Sequence, residues 1–345
     1  MWTWNTSTES IVTFGEIMDL SAAEENSYIA LQVILFFIGL IGNSLVLVAS
    51  LKYEAVSMDR TTVILIENIA AADLLITLIV HGVAAVNHIC GRWAFGTHLC
   101  FILGYGKHAF YVAEFCLIIL MGLCRLFCLY KPLSPVLTPT TVRSLVSWAG
   151  STIYITTWPL TSAGVFYQPL LGCCMPALQP AANLIFTAFH FVVMIIIFLT
   201  NVAILIVAKR YSTSDQSMRK ATLTVTMVSW VFIGSYCPWL GFWGLSGAGK
   251  EVPLNLIVVG LNTMQINLLA NPFIYSFTNR RFYLFLQDFV GPCSRTKNTN
   301  VQESFPKRNK ADLDCPRRKG NGGRSTTSTM EPRPSLNSLD VSTAL

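Results

Sequence analysis

Seven apolar stretches, each long enough to cross a bilayer, run along the 345-residue chain near 28–51, 62–86, 98–130, 143–166, 182–208, 219–244 and 253–277. A hydrocarbon core of about 30 Å takes roughly 20 residues of helix, and only a helix or a closed barrel satisfies its own backbone hydrogen bonds there. Strand-like alternation of apolar and polar residues is absent from these stretches, so the pattern predicts helices and not a transmembrane barrel. The expected fold class is an all-α membrane protein, a bundle of seven transmembrane helices. Beyond the seventh stretch, Phe282, Phe285, Leu286, Phe289 and Val290 recur at helical spacing behind Arg280 and Arg281. That spacing predicts a short amphipathic eighth helix over 279–293, lying along the inner leaflet.

The polar flanks complete a four-part layout: a tail over 1–27, the transmembrane region over 28–278, the surface helix over 279–293 and a second tail over 294–345. The first tail has no basic residue and carries Glu9, Glu16, Asp19, Glu24 and Glu25. It lacks the basic start and apolar core of a cleavable signal peptide, which leaves the first span as the expected signal anchor. The last tail turns to Ser, Thr, Pro, Gly, Lys and Arg with scarcely any apolar clusters and reads as disordered.

Composition changes the picture only by confirming the solvent. With 53% hydrophobic and 12% charged residues and a mean hydropathy of +0.53, most of this chain meets lipid. The formal charge of +6 invites a nucleic-acid reading, but its placement excludes one. Of the 24 Lys and Arg residues, only Arg92, Lys107 and Lys250 fall on the side shared by the N-terminus. Short basic loops stay cytoplasmic, so the N-terminus is expected outside and the C-terminus inside.

Polar and proline landmarks recur within the spans in a fixed order. They are Gly42-Asn43 in the first, Asn68 and Ala72-Asp73-Leu74 in the second, then Trp93 and Phe95-Gly96 in the following loop. Cys100 opens the third span, Arg125 and Pro132 follow, and Trp148, Pro238 and Asn271-Pro272-Phe273-Ile274-Tyr275 complete the set. In this order they resemble the rhodopsin-like (class A) G-protein-coupled receptors, over roughly residues 28–293. The loop Trp93-Ala94-Phe95-Gly96 and the run Tyr236-Cys237-Pro238 faintly resemble melatonin-like and Moody-like receptors. The resemblance implies a plasma-membrane receptor with no cofactor of its own, which binds an extracellular ligand and activates a heterotrimeric G protein. It further implies arrestin and receptor-kinase partners at the C-terminal tail.

About 38 Å of helix separates Cys100 from Arg125, placing one at each membrane face. Cys100 and the loop carrying Cys173-Cys174 are therefore extracellular, where disulfides persist. The resemblance implies a bridge from Cys100 to that loop, with Cys173 and Cys174 both available as its partner. Cys90 is a fourth extracellular cysteine and admits a second bridge. Cys116, Cys124, Cys128 and Cys237 lie in spans and suit buried free thiols.

Asp73 and Glu114 are the costliest residues of the chain, because a carboxylate at mid-membrane depth must be paired, solvated or neutral. By resemblance Asp73 is the acid that helps hold a sodium ion beneath the ligand. Glu114 stands where the family has a small hydroxyl residue, with Asn267 and Asn271 as further contributors. Two carboxylates in one low-dielectric cavity imply a bound cation or a shared proton. A neutral acid serving as an interhelical hydrogen-bond donor is the alternative.

Lys107 lies two turns below Cys100, near where similar amine receptors place an acid for their ligand. A lysine there argues for a carboxylate, phosphate or sulfate ligand. His108, Tyr111, Trp239, Trp243 and Gln265 are expected around it. The competing expectation is that Lys107 snorkels to the interface or pairs with Glu251, with the tryptophans as interface anchors.

At the cytoplasmic end the chain departs from the family pattern. Cys124 replaces the acid before the arginine, Leu126 replaces the tyrosine after it, and Met218 stands where a sixth-span acid also holds the arginine. Arg125 thus lacks both usual restraining charges, which implies a weakly restrained resting state. Val193 replaces the usual fifth-span proline, Asn201 a tyrosine, and Tyr236 the aromatic switch tryptophan. Pro238, Pro272 and Tyr275 retain the positions that the family uses in activation.

Other function classes fit less well. A transporter would show internal repeats and broken helices. An enzyme needs a nucleophile with its base, or a metal cluster, facing a cavity. His81, His88, His98, His108 and His190 show no helical pairing of the metal-binding kind. An opsin, or a constitutively active receptor without a diffusible ligand, is the close alternative; an opsin needs a seventh-span lysine for retinal, and 253–277 contains none. Three peripheral motifs complete the reading. Asn5-Thr6-Ser7 fits N-glycosylation, Cys293 is placed for S-palmitoylation, and Ser342-Thr343-Ala344-Leu345 suits a PDZ-type carboxylate-capturing partner.

Overall fold

The computed structural model describes residues 17–52, 60–130, 140–157, 160, 162–210 and 216–290. Among the described residues, seven helices form the bundle. They are α1 (Ala22–Lys52), α2 (Arg60–Ile76, a π-helical turn Thr77–Gly82, then Val83–Cys90), α3 (Gly96–Tyr130), α4 (Thr140–Thr156), α5 (Pro180–Arg210), α6 (Gln216–Gly247) and α7 (Leu254–Thr278). A short α8 (Arg280–Val290) follows. Six of the seven are long and apolar enough to cross a membrane by length and composition, and α4 is the shortest.

Local chemistry sets several of these boundaries. Ser21 and Glu24 form a reciprocal cap at the start of α1: the Ser21 N–H donates to the Glu24 carboxylate (2.9 Å), and the Glu24 N–H donates to Ser21 Oγ (3.4 Å). Such a pair satisfies two of the donors left open at a helix start. The helix therefore begins at Ala22, inside what the sequence pattern assigns to the tail. The fourth span behaves in the opposite way. Its α-helix ends at Thr156 rather than near 166, in a stretch where β-branched residues precede Pro159. A proline removes a backbone donor and biases the residue before it away from helix.

Between α4 and α5 the chain makes an antiparallel hairpin of β1 (Ser162–Gln168) and β2 (Cys173–Leu178), which the sequence pattern did not predict. Tyr167 lies opposite Cys174 and Gln168 opposite Cys173. Gly172 turns the chain into β2 with φ 58°, and a Cβ there would meet the Ala84 carbonyl oxygen at 2.8 Å. Only glycine meets both demands. Asn87 locks the turn by donating from Nδ2 to the Gly172 carbonyl (2.8 Å).

The bundle is ordered inside out relative to a soluble protein. Ile34, Phe37, Ile38 and Ile41 of α1, with Ile185, Phe191 and Leu199 of α5, are exposed, as lipid-facing residues are. Asp73, Asn87, Glu114, Asn267 and Asn271 are fully buried. α3 runs through the middle, against α2, α4, α5, α6 and the hairpin. In α8, Phe282 and Phe285 are buried against the bundle, while Tyr283 and Leu284 face outward. The apolar residues of this helix thus divide between protein and surroundings instead of all lying in lipid.

Candidate ligand cavity and the polar centre beneath it

A cavity of about 860 Å³, its mouth included, opens at the end of the bundle that carries the hairpin. Lys107, His108, Tyr111, Trp239, Trp243 and Gln265, expected together from the sequence, all line it. α3, α6 and α7 supply these six, and α1, α2, α5 and the hairpin close the rest of the wall. The π turn in α2 adds residues to a turn of the helix and so rotates its outer end relative to its inner end. Thr77 accompanies the turn by donating its hydroxyl to the Asp73 carbonyl (2.7 Å). His81, Ala84 and His88 beyond Thr77 reach the cavity wall.

Lys107 is buried, which overturns the expectation of a side chain snorkelling to the interface. Nor does it pair with Glu251, which is exposed. Its ammonium donates to the Cys174 carbonyl (2.6 Å) and contacts Cys173 Sγ (2.9 Å) and Met175 Sδ (3.0 Å). One carbonyl and two weakly accepting sulfurs neutralise no charge. Among the described residues, no Asp or Glu lines the cavity. Tyr167, on the adjoining strand, supplies no negative charge either, since burial first, and then the nearby Cys173 and Cys90, raise its phenol and keep it neutral.

The bridge forms between Cys100 and Cys174, with Cα atoms 5.4 Å apart. Cys173 is therefore not the partner and remains a buried thiol; Cys90 is an exposed thiol and makes no second bridge. Alternation along β2 explains the choice, because neighbouring strand residues point to opposite faces. Cys174 faces the top of α3, and Cys173 and Met175 face Lys107. Cys116, Cys124 and Cys237 are free thiols, whereas Cys128 is disulfide-bonded, against expectation.

Below the cavity floor lies a polar centre. Asn271 donates to Asp73 Oδ2 (2.8 Å), and Asn267 donates to Glu114 Oε1. The Tyr236 hydroxyl, itself on the cavity wall, donates to Glu114 Oε2 (3.2 Å). Each acid thus has its own asparagine, and no hydrogen bond joins the two carboxyls directly among the described residues. Asp73 Oδ1, Asn267 Oδ1, Asn271 Oδ1 and the Tyr275 hydroxyl are buried with no protein partner.

The prolines are positioned by their neighbours. Pro272, inside α7, has no N–H for the carbonyl four residues earlier, that of Leu268. Asn43 of α1 donates its Nδ2 to that carbonyl (3.0 Å). Gly42 lets α1 approach, since a Cβ there would lie 2.8 Å from Pro272 Cγ. Pro238 occupies the interior of α6, with Gly234 four residues before it, where an added Cβ would meet nothing within 4 Å. Trp148 donates to Asn68 Oδ1 (3.2 Å) and ties α4 to α2.

At the end of the bundle away from the hairpin, Arg125 is held in spite of the missing acids. Its Nε donates to Thr222 Oγ1 (2.9 Å), and its guanidinium donates to the Met218 carbonyl. A hydroxyl and a backbone oxygen of α6 thereby take the place of a carboxylate. Sequence reasoning read Met218 by its side chain and missed Thr222, one turn further on. It also missed His81, His88 and His190 as cavity residues, because the helices that gather them are far apart in sequence. Asn5, Cys293 and Ser342–Leu345, with the C-terminal partners assigned to that tail, fall outside the described residues.

The arrangement defines a class first: a multi-pass membrane receptor of seven helices. Residues 42–275 match the sequence profile of the family described as 7 transmembrane receptor (rhodopsin family), and the chain belongs to that family. Its relatives include the medium-wave-sensitive opsin 1 of Mus musculus, 26% identical over 264 residues covering 70% of this chain and 72% of the opsin. Pinopsin of Columba livia is 23% identical over 70% of this chain and 74% of its own length. The neuropeptide Y receptor type 2 of Gallus gallus is 32% identical over 91 residues, 24% of this chain and 23% of that receptor.

Proposed function

We propose that the chain binds a small acidic ligand in the outer cavity and, in response, promotes nucleotide exchange on a heterotrimeric G protein at its cytoplasmic face. The observation that carries the ligand class is a buried ammonium, Lys107, in a cavity that no acidic side chain lines. An isolated charge in a low-dielectric site is costly, so a carboxylate, phosphate or sulfate that reaches Lys107 gains most of an ion pair without desolvating a second protein group. A cationic amine meets repulsion there. Tyr111, Trp239 and Trp243 supply apolar surface for the rest of the ligand.

An opsin-like reading gains nothing from this geometry. Gln265 lines the cavity from α7, where 254–278 hold no lysine to carry retinal. Beneath the cavity, Asp73, Glu114, Asn267 and Asn271 offer an all-oxygen set that suits a hard monovalent cation or a single proton. Sodium there would stabilise the carboxylates where they stand. The basic residues clustered on the opposite side support an orientation with the N-terminus outside, and a plasma-membrane location is what the receptor reading implies.

The test is a second-messenger assay in receptor-expressing cells, against a panel of acidic metabolites, acidic lipids, amines and neutral peptides. An acidic compound is expected as the best agonist, and Lys107→Ala abolishes its response at unchanged surface expression. A cationic amine as best agonist sinks the proposal.

A further inference from the structure

The extracellular side of a membrane protein favours disulfides, yet Cys173 is left as a thiol directly beside one. Its surroundings are specific. The sulfur is 2.9 Å from the Lys107 ammonium, and both residues line the cavity. Two further polar atoms of buried cavity residues, Trp243 Nε1 and Gln265 Oε1, have no protein partner. The cavity is thus furnished with polar groups for a ligand, and it places a nucleophile at the point where the acid of that ligand is expected.

We propose that Cys173 is a covalent-modification site selective for acidic electrophiles, with Lys107 holding the acid group while the sulfur attacks a soft carbon a few bonds away. The ligand class is an acid that also bears a carbon–carbon double bond conjugated to a carbonyl. In the reaction a carbon–sulfur bond forms at the carbon β to that carbonyl, and the double bond is consumed. The thiol proton ends on the α carbon, so no oxidant, reductant or leaving group is needed. Lys107 acts twice. It concentrates anionic reagents in a cavity without opposing carboxylates, and it holds their acid group within reach of the sulfur. Cys90 and Cys237 are exposed thiols with no ammonium bonded to them among the described residues, so they are expected to react without regard to reagent charge.

The inference rests on reading the cavity as the ligand site, but its test needs no agonist. Purified receptor carrying Cys90→Ser is treated with the sulfonatoethyl and the trimethylammonioethyl methanethiosulfonates, which transfer their thiol group to a cysteine as a disulfide and release methanesulfinate. Peptide mass mapping then gives the rate of modification at Cys173. The anionic reagent is expected to modify Cys173 faster by roughly tenfold or more. Lys107→Gln levels the two rates, and Cys173→Ser removes the adduct. Equal rates in the parent, or an adduct at Cys173 only after denaturation, overturn the proposal. An anionic preference at Cys173 combined with an amine as best agonist in cells would leave this site standing and remove the acidic-agonist reading.

Discussion

Single residues decide how tightly the receptor rests. Arg125 donates to Thr222 Oγ1 and the Met218 carbonyl, two neutral acceptors that join α3 to α6. A hydrogen bond to a charged group contributes about 1.5–3 kcal/mol, which shifts a two-state equilibrium by roughly tenfold or more. Thr222→Val is therefore expected to raise ligand-free nucleotide exchange several-fold at equal receptor density. Cys124→Asp adds a carboxylate beside the arginine and is expected to lower the same signal. Unchanged basal exchange in both variants would show that the contact does not govern the resting state. From sequence, the absence of the acids was legible, but the substitute was not. A backbone carbonyl leaves no mark in a sequence, and Thr222 gains meaning only once α6 is docked on α3.

At the scale of elements, the spans were legible because bilayer thickness imposes a length on apolar runs, and five of the seven helices end within a few residues of the expected limits. The exceptions have local causes. Ser21 and Glu24 extend α1 outward, and the stretch before Pro159 accompanies the early end of α4. The hairpin was not legible, since its pairing depends on Gly172 fitting against Ala84 and on Asn87 bonding the turn. The hairpin also explains the disulfide choice, and that choice is testable. Cys174→Ser is expected to cost about 2–4 kcal/mol and lower the melting temperature of purified receptor, while Cys173→Ser leaves the bridge intact and the melting temperature near that of the parent. Equal losses in the two variants would contradict the assignment. A second element-level prediction concerns the junction of α1 and α7. Asn43→Ala leaves the Leu268 carbonyl without its donor next to Pro272, and a loss of about 1–2 kcal/mol in thermal stability is expected. No loss would mean that the carbonyl needs no donor from α1.

For the whole molecule, the two polar regions are stacked, and Tyr236 belongs to both. Its ring lines the cavity and its hydroxyl donates to Glu114. The candidate site was legible in part: the six residues expected together line one cavity, and Asp73, Glu114, Asn267 and Asn271 gather beneath it, but His81, His88 and His190 of the same cavity were not read from sequence. Its wiring was not legible, because the bonds from Asn267 to Glu114 and from Asn271 to Asp73 appear only when α7 packs on α2 and α3. A cation held by this centre should stabilise the folded receptor by mass action. At fixed ionic strength, the melting temperature of the purified receptor is expected to rise with sodium, and Asp73→Asn or Glu114→Ser should flatten that rise. Identical curves for parent and variants would show that the acids serve only as interhelical hydrogen-bond partners.

The central claim joins an acidic ligand at Lys107 to nucleotide exchange at the opposite membrane face. It is tested most directly by guanine-nucleotide exchange on purified heterotrimeric G protein, catalysed by receptor in lipid nanodiscs, with and without the most potent acidic compound from the cell panel. The account predicts ligand-stimulated exchange by the parent receptor and only basal exchange by Lys107→Ala. Stimulation that survives in Lys107→Ala, or that an amine elicits more strongly than any acid, would contradict it.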